Sequence, residues 1–351
     1  MLYQSKNPHG GDRYGRPVEL DFSANTNPLG TPTSVTEAVV ESAAYLNQYP
    51  DPYCRKLVAA LADFEGLKRE TILCGSGAAE LIFSFCAALR PRRALELAPT
   101  FSEYAAALAS VGCAVSRYPL SAENGFQLTE QFLNELYQSD CEVLFLCNPN
   151  NPTGRTIDPA LLDSVRSLCQ KKGIWLFLDE CFLDLSDGGR GLSLKNWLDQ
   201  NPRLFLLKAF TKSYGMAGLR LGYCLSGNPE LLAEMGRSVQ PWNVSLPAQA
   251  AGVAALGERD FLVRTRAIIC QERAWLRSRL EELGLWVCPS QANYLLLRSP
   301  RELYEPLLER GILIRDCSNY HGLGRGWYRV AVKRRDENQR LTSALGGILG
   351  G

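Results

Sequence analysis

Histidine, methionine and surplus charge are scarce in this sequence. Its 351 residues include two histidines and three methionines, and 38 basic side chains face 37 acidic ones, for a formal net charge of +1. Nucleic acids and anionic membranes bind proteins that carry a basic surplus, so we expect neither as the main partner. With only His9 and His321 available, we also expect no zinc site.

Long apolar runs and closely spaced cysteine pairs are absent as well. A membrane-spanning helix needs roughly 18 apolar residues in a row, and no run approaches that length. Residues 1–6 lack the apolar core of a signal peptide. The twelve cysteines form no Cys-x-x-Cys pair, and free cysteines pack as small buried hydrophobes in a chain this long. We therefore expect reduced thiols, no membrane partner and a cytoplasmic protein.

The length predicts about two domains. Residues 1–33 are rich in Gly, Pro, Asn and Asp, which predicts an irregular N-terminal arm. From residue 34 to about 260, helical patterns alternate with short runs that are apolar on both faces, as in a mainly parallel α/β sheet flanked by helices. Residues 261–351 predict a long charged helix and a smaller α+β domain. The apolar runs are Ala94–Ala98, Val143–Cys147, Ile174–Leu178, Leu204–Leu207, Leu219–Leu225, Asn293–Arg298, Ile312–Arg315 and Tyr328–Val332.

Polar residues follow two of these runs, and ligands of open α/β sheets bind beyond the carboxyl ends of the strands. Val143–Cys147 is followed by Asn148-Pro149-Asn150-Asn151-Pro152-Thr153-Gly154, a composition that is also that of an ordinary turn. Ile174–Leu178 is followed by Asp179-Glu180. A carboxylate at the end of a buried strand needs a cationic or hydrogen-bonding partner.

Two further segments suggest an anion site. Lys212 and Arg220 lie beyond another strand with no acidic residue between them, which suggests a phosphate. Gly75-Ser76-Gly77-Ala78-Ala79-Glu80 precedes an apolar helix, and such a turn either holds a phosphate or simply caps the helix. It matches neither the dinucleotide fingerprint nor the Walker pattern.

Together these residues point to one ligand with a phosphate, a group that meets Asp179 and an electrophile beside Lys212. Pyridoxal 5′-phosphate meets all three demands. Its aldehyde forms a Schiff base with a lysine, and its ring nitrogen must stay protonated against an acid in order to accept electrons. We therefore predict this cofactor and no metal.

With these motifs in view, the chain resembles the fold-type I pyridoxal-phosphate enzymes of the aminotransferase class I/II family over essentially its whole length. The most specific matches are Asn148–Gly154, Asp179-Glu180, and Thr211-Lys212 followed by the segment 218–223. The resemblance implies that Lys212 is the Schiff-base lysine and that Asp179 pairs with the ring nitrogen. The other cofactor contacts that it implies are Asn151 on the ring hydroxyl, Phe101 stacked on the ring, and Gly77, Ala78, Thr211 and Arg220 on the phosphate.

The resemblance also implies a homodimer with shared sites, in which Tyr49 reaches the phosphate of the neighbouring subunit's cofactor. Two departures from the family stand out. Phe182 replaces a tyrosine that usually donates a hydrogen bond to the ring hydroxyl, and Ala209 replaces a frequent hydroxyl residue near the phosphate. Simple transaminase chemistry is therefore less expected.

Two branches of the family are similar to this chain, namely histidinol-phosphate aminotransferases and decarboxylases of L-threonine O-3-phosphate in cobalamin biosynthesis. Phe182, the early His9-Gly10-Gly11 and the segments 21–30, 312–320 and 328–332 resemble the decarboxylase branch. That resemblance implies a phosphorylated amino acid as substrate. The residues it implies are His9, Gly10 and Asn25 in a lid, Asn151 at the substrate, Arg315 on the substrate phosphate and Arg329 on its carboxylate.

Several alternatives stay open on the residues alone. Arg315 and Arg329 could instead form surface salt bridges, and Phe101 could be a core aromatic. A regulatory protein on this fold usually adds a basic DNA-binding domain, for which the chain has no room. A nucleotide-binding Rossmann enzyme conflicts with the broken glycine fingerprint.

Overall fold

The structure, a computed structural model, describes residues 9–350; residues 1–8 of the predicted arm and Gly351 lie outside that range. The strands are β1 Leu20–Asp21, β2 Ile72–Gly75, β3 Arg93–Ala98, β4 Ala114–Pro119, β5 Val143–Cys147, β6 Trp175–Asp179, β7 Leu204–Ala209, β8 Gly222–Ser226, β9 Trp286–Val287, β10 Tyr294–Arg298, β11 Ile312–Leu313, β12 Arg315–Asp316 and β13 Trp327–Ala331. The α-helices are α1 Thr33–Ser42, α2 Arg55–Glu65, α3 Ala78–Leu89, α4 Glu103–Ser110, α5 Gln131–Gln138, α6 Pro159–Lys172, α7 Phe210–Ser213, α8 Pro229–Ser238, α9 Leu246–Gly257, α10 Phe261–Glu282, α11 Tyr304–Leu308 and α12 Arg335–Leu349.

A seven-stranded sheet in the order β2-β8-β7-β6-β5-β3-β4 forms the centre of the larger part of the molecule. Neighbouring strands from β7 to β4 are parallel, whereas β8 is antiparallel to both β7 and β2. Every residue of β5 is buried because apolar clusters cover both faces of the sheet. The predicted fold class, a mainly parallel sheet flanked by helices with a smaller α+β unit, is confirmed.

The strands of the structure depart from the predicted runs in several places, and three of these departures have a clear physical reason. The run Leu219–Leu225 was expected in the parallel sheet, but β8 is antiparallel because only short helical turns, too short for a crossover, separate it from β7. The run Ile312–Arg315 is divided at Ile314, because β11 and β12 pair with different partners. Strand β4 was missed, since it is an edge strand whose residues are partly exposed.

The smaller part of the molecule contains an antiparallel sheet in the order β12-β13-β10-β9. Its core joins the sheet to leucines of α10 and α12. The boundaries expected after residues 33 and 260 stay predictions, although α1 begins at Thr33 and α10 at Phe261.

The arm is anchored to this smaller part. Strand β1 pairs in parallel with β11, and the next residue, Phe22, is fully buried in the smaller core. The backbone of Phe22 donates to Leu313 O at 2.7 Å and accepts from Ala331 N at 2.8 Å. The chain that follows Phe22 is thereby held against the end of β13.

Two features are absent from the described residues 9–350. No helix there combines the length and the apolar character needed to cross a membrane. No group of three or more His, Cys, Asp or Glu side chains in that range could hold a metal ion.

Candidate active site

A cavity of about 230 Å³ lies at the carboxyl ends of β5, β6 and β7, between the large sheet, the smaller sheet and the arm. The structure brings most of the predicted site residues together around it. Gly77 and Tyr49 are the two predicted residues that do not line it. The predicted residues that do are His9, Gly10, Asn25, Ala78, Phe101, Asn151, Asp179, Thr211, Lys212, Arg220, Arg315 and Arg329.

Asp179, at the end of β6, is a buried carboxylate with two donors. Its Oδ2 accepts a hydrogen bond from the Tyr104 hydroxyl at 2.6 Å, and its Oδ1 accepts one from the Cys181 backbone N–H at 2.8 Å. Burial raises the pKa of Asp179, and interactions with the Cys181 thiol, the Tyr104 hydroxyl and the Cys181 backbone N–H lower it in part. A cationic partner within the cavity would stabilise the ionised carboxylate.

Lys212 enters the cavity from α7, which follows β7 directly. Its Nζ lies 5.9 Å from the centre of the Phe182 ring. Desolvation, followed by the nearby charge of Arg329, lowers the pKa of Lys212 to about 8. The amine is thus far more often neutral near physiological pH than that of an ordinary lysine, and a neutral amine is what attacks a carbonyl.

An anion seat lies where β2 passes into α3. A Cβ atom at Gly77 would lie 2.5 Å from Nη2 of Arg220, and the φ of Gly77 is +83°, so glycine is required there. The first N–H groups of α3 have no acceptor within the helix, and Ala78 lines the cavity beside Arg220 and Thr211. Gly77 therefore allows the Arg220 guanidinium to lie close to the backbone at the anion seat.

Arg329, on β13, connects the smaller sheet to two other parts of the site. Its Nη1 donates to Oδ1 of Asn151, and its Nη2 donates to Ser23 O in the arm at 2.8 Å. Tyr320 also donates to Oδ1 of Asn151, at 3.4 Å. Because the amide oxygen of Asn151 is engaged in this way, its amide nitrogen is the group left to donate to a ligand.

Arg315, on β12, is a second buried arginine of the cavity. Its Nη1 donates to Asp316 O at 2.6 Å and its Nη2 to Asn319 Oδ1 at 2.8 Å. The guanidinium carbon lies 5.3 Å from the centre of the Tyr320 ring, so Tyr320 lies between the two arginines.

The arm covers the open side of the cavity. Nε2 of His9 lies 3.0 Å from Oε1 of Glu103, and the His9 ring lies 6.3 Å from that of Phe101 between ring centres. A Cβ atom at Gly10 would meet Ser23 O at 2.4 Å, so the arm packs too closely there for any side chain. Both side-chain polar atoms of Asn25 are buried without a hydrogen-bond partner in the described part of the chain.

Tyr49 lies outside the cavity and is 77% exposed. Its ring stacks on that of Trp242, with 4.4 Å between ring centres. Its predicted contact with the cofactor of a neighbouring subunit requires a second copy of the chain and stays a prediction.

The geometry can now be set beside known proteins. The family described as "Aminotransferase class I and II" matches residues 17–345. The chain belongs to this family. Its enzymes depend on pyridoxal 5′-phosphate, and the predictions of the family and of this cofactor are confirmed.

Two relatives of known name and one solved structure show which members of the aminotransferase class I and II family this chain is similar to. The chain is 40% identical to the threonine-phosphate decarboxylase of Salmonella typhimurium over 336 residues, 95% of this chain and 92% of that protein. It is 33% identical to a histidinol-phosphate aminotransferase of Anaeromyxobacter sp. over 346 residues, 96% of this chain and 93% of that protein. The structure of the histidinol-phosphate aminotransferase from Clostridium acetobutylicum superposes with a TM-score of 0.87 at 28% identity, covering 94% of this chain and 99% of that chain.

The cavity fits the cofactor of the aminotransferase class I and II family. The seat beside Gly77 and Arg220 suits a phosphate, and Asp179 provides a carboxylate for a ring nitrogen. Lys212 provides the amine. The Nε of Arg329 is buried and without a partner in the described residues, which leaves a polar group for a further ligand.

Several residues in and around the site were not predicted from the sequence. Tyr320 lies in the segment 312–320 and Tyr104 lies three residues after Phe101, yet nothing in a single sequence shows which tyrosine hydroxyl meets which partner. Ser23 and the thiols of Cys147 and Cys181 also line the cavity without having been predicted.

The lowered pKa of Lys212 gives a testable prediction. In the cofactor-free protein, we expect acetylation of Lys212 by acetic anhydride to rise with pH with a midpoint near 8, because only the neutral amine reacts. Competitive isotope labelling with peptide mass spectrometry measures this rate for each lysine. A midpoint near 10, that of an unperturbed lysine, would contradict the account.

Proposed function

We propose that this enzyme decarboxylates L-threonine O-3-phosphate to (R)-1-aminopropan-2-yl phosphate, the reaction that serves cobalamin biosynthesis. The observation that carries the proposal is the pair of buried arginines, Arg315 and Arg329, in the same cavity as Lys212. Two guanidinium groups suit a substrate with two anionic groups, here a phosphate and a carboxylate. The 40% identity to a threonine-phosphate decarboxylase supports the same assignment.

In this proposal the residues divide into a cofactor set and a substrate set. Arg315 binds the substrate phosphate and Arg329 its carboxylate, while Asn25 donates from the arm. His9 and Gly10 close the arm over the substrate, and Asn151 contacts both ligands. The cofactor set is Gly77, Ala78, Phe101, Asn151, Asp179, Thr211, Lys212 and Arg220, with Tyr49 from a second subunit.

The cofactor, when bound, supplies an aldehyde that takes up the substrate amine and a ring that accepts the electron pair left when a bond to Cα breaks. Which bond breaks depends on how the protein holds the substrate. Arg315 and Arg329 hold it at both ends and so fix the direction of the carboxylate. Lys212 Nζ then delivers a proton to Cα after CO₂ has left, which its pKa of about 8 allows near neutral pH.

A second candidate is transamination of histidinol phosphate or an aromatic amino acid. The observation that favours it is the 33% identity to a histidinol-phosphate aminotransferase over nearly the whole chain. Phe182 counts against it, because no hydroxyl at this position can stabilise the ring oxygen.

The thiols support the expected compartment. All twelve cysteines are free, and eleven of them are buried. Buried thiols without disulfides are typical of a reducing compartment, so we place the enzyme in the cytoplasm.

The product distinguishes the two reactions. With L-threonine O-3-phosphate, we expect the cofactor-loaded enzyme to release CO₂ and accumulate (R)-1-aminopropan-2-yl phosphate, as ³¹P NMR and chiral mass spectrometry can show. A 2-oxo acid phosphate, together with conversion of the cofactor to its pyridoxamine form, would instead establish the aminotransferase.

Arg315→Ala tests the phosphate site. Loss of a charge-assisted hydrogen bond should raise KM for L-threonine O-3-phosphate about 10- to 100-fold. Inhibition by unphosphorylated L-threonine should stay unchanged, because that ligand has no phosphate to lose. Arg298→Ala is the matched control, since Arg298 is an exposed arginine of the same sheet outside the cavity. An equal effect of both substitutions, or an equal effect on both ligands, would argue against the assignment.

We further propose that two copies of the chain form a homodimer with shared sites. Exposed apolar side chains cluster in the segment 45–53 and at Trp242, which stacks on Tyr49. Beside Trp242, Asn243 donates to Glu80 in the first turn of α3 at 2.6 Å. The segment that carries Trp242 thus contacts the helix turn that follows the anion seat, and a second copy covering the exposed apolar side chains would lie close to that seat.

Subunit mixing tests the shared site. Lys212→Ala and Tyr49→Ala should each reduce the activity of a homodimer that carries the substitution in both subunits. A heterodimer of the two variants contains one intact site. After unfolding and refolding together, we expect the equimolar mixture to regain about a quarter of the wild-type activity per subunit, since half the dimers are mixed and each has one working site. A mixture no more active than the mean of its parents would show that Tyr49 serves its own subunit.

A further inference from the structure

Tyr104 is a fully buried tyrosine of α4 whose hydroxyl contacts the carboxylate of the cofactor site. Its hydroxyl oxygen lies 2.6 Å from Oδ2 of Asp179. Together with the Cys181 N–H on Oδ1, this means that both carboxylate oxygens accept a hydrogen bond from the protein. A ring nitrogen in the cavity would thus meet a carboxylate whose orientation and charge are already set.

The ring of Tyr104 is held by other aromatic side chains. It packs against Phe145 and Phe177, with 5.4 and 6.0 Å between ring centres. Its contact with Phe101 is edge-to-face, at 5.6 Å and 83°. One rigid side chain therefore supports both the ring proposed to cover the cofactor and the carboxylate proposed to meet its nitrogen.

The direction of the hydrogen bond is fixed by the protonation of the phenol. Burial, and then the charge of Asp179, hold the pKa of Tyr104 well above its ordinary value. The phenol therefore keeps its proton and donates. A donor stabilises the ionised form of a carboxylate, and the hydrogen bond from Tyr104 indeed lowers the pKa of Asp179 against the effect of burial.

We propose that Tyr104 is a positioning residue that keeps the shared proton on the cofactor's ring nitrogen rather than on Asp179. A carboxylate and a pyridine nitrogen in contact share one proton, which resides on the more basic partner. The Tyr104 hydrogen bond makes Asp179 the weaker base, so the nitrogen stays cationic and accepts electrons. The inference rests on the cofactor placement proposed above and not on the identity of the substrate.

Tyr104→Phe removes the hydroxyl and keeps the ring. The protein is loaded with ¹⁵N-labelled pyridoxal 5′-phosphate, and the ring-nitrogen chemical shift is measured by NMR without substrate. We expect the shift to move towards that of an unprotonated pyridine, and kcat with any active substrate to fall about 10- to 100-fold with little change in KM. Site-specific 3-fluorotyrosine at 104, a stronger donor, should move the shift the opposite way even if the phenylalanine variant does not fold.

Tyr223→Phe is the matched control. Tyr223 is also buried, and its hydroxyl donates at 2.6 Å to a buried carboxylate, Glu65, outside the cavity. This variant should lose comparable stability while its ring-nitrogen shift stays that of the wild type. If Tyr104→Phe and the fluorotyrosine protein also keep the wild-type shift, Tyr104 has only a structural role.

Asp179→Asn separates this inference from the cofactor placement. If Asp179→Asn leaves the ring-nitrogen shift unchanged, the proposed contact between Asp179 and the nitrogen is wrong, and the inference falls with it. If Asp179→Asn moves the shift and Tyr104→Phe does not, the cofactor placement stands and only the inference about Tyr104 is overturned.

Discussion

Burial of the Asp179 carboxylate at the end of β6 is the constraint around which this site is organised. An unpartnered charge in such a place is costly, so the surroundings supply the Tyr104 hydroxyl and the Cys181 N–H. Strand register places Asp179 beside Cys147 on one side and Leu207 on the other, so the chain leaving β7 brings Lys212 into the same cavity. Two adjacent strand ends thus bring a buried carboxylate and an amine into one cavity.

Arg329 joins three parts of the molecule that surround the cavity. It is carried by the smaller sheet, and it donates to Asn151 beyond β5 and to Ser23 in the arm. A ligand that binds Arg329 would therefore also affect the side-chain amide of Asn151 and the backbone of Ser23. Arg315 on the neighbouring strand adds the second guanidinium, which fits the dianionic substrate proposed above.

Much of this arrangement was predictable because strand-end chemistry is local. The run Val143–Cys147 is β5 as predicted, and the residues that follow the strands do line one cavity. The antiparallel course of β8 was not predictable, since it depends on the absence of a crossover helix and not on the strand's own residues. The hydrogen bond from Tyr104 to Asp179 was not predictable for a related reason. The two residues lie 75 positions apart in the sequence, and a contact at that separation produces no periodic pattern.

The central claim is that the bond from Cα to the carboxylate breaks while the bond from Cα to hydrogen survives. The most direct test is turnover of L-threonine O-3-phosphate that carries deuterium at Cα, in ordinary water, with mass spectrometry of the amine product. The account predicts that the deuterium stays at that carbon beside one hydrogen from solvent. Loss of the deuterium to solvent would show that the covalent bond from Cα to deuterium had been broken, as transamination requires, and would contradict the account.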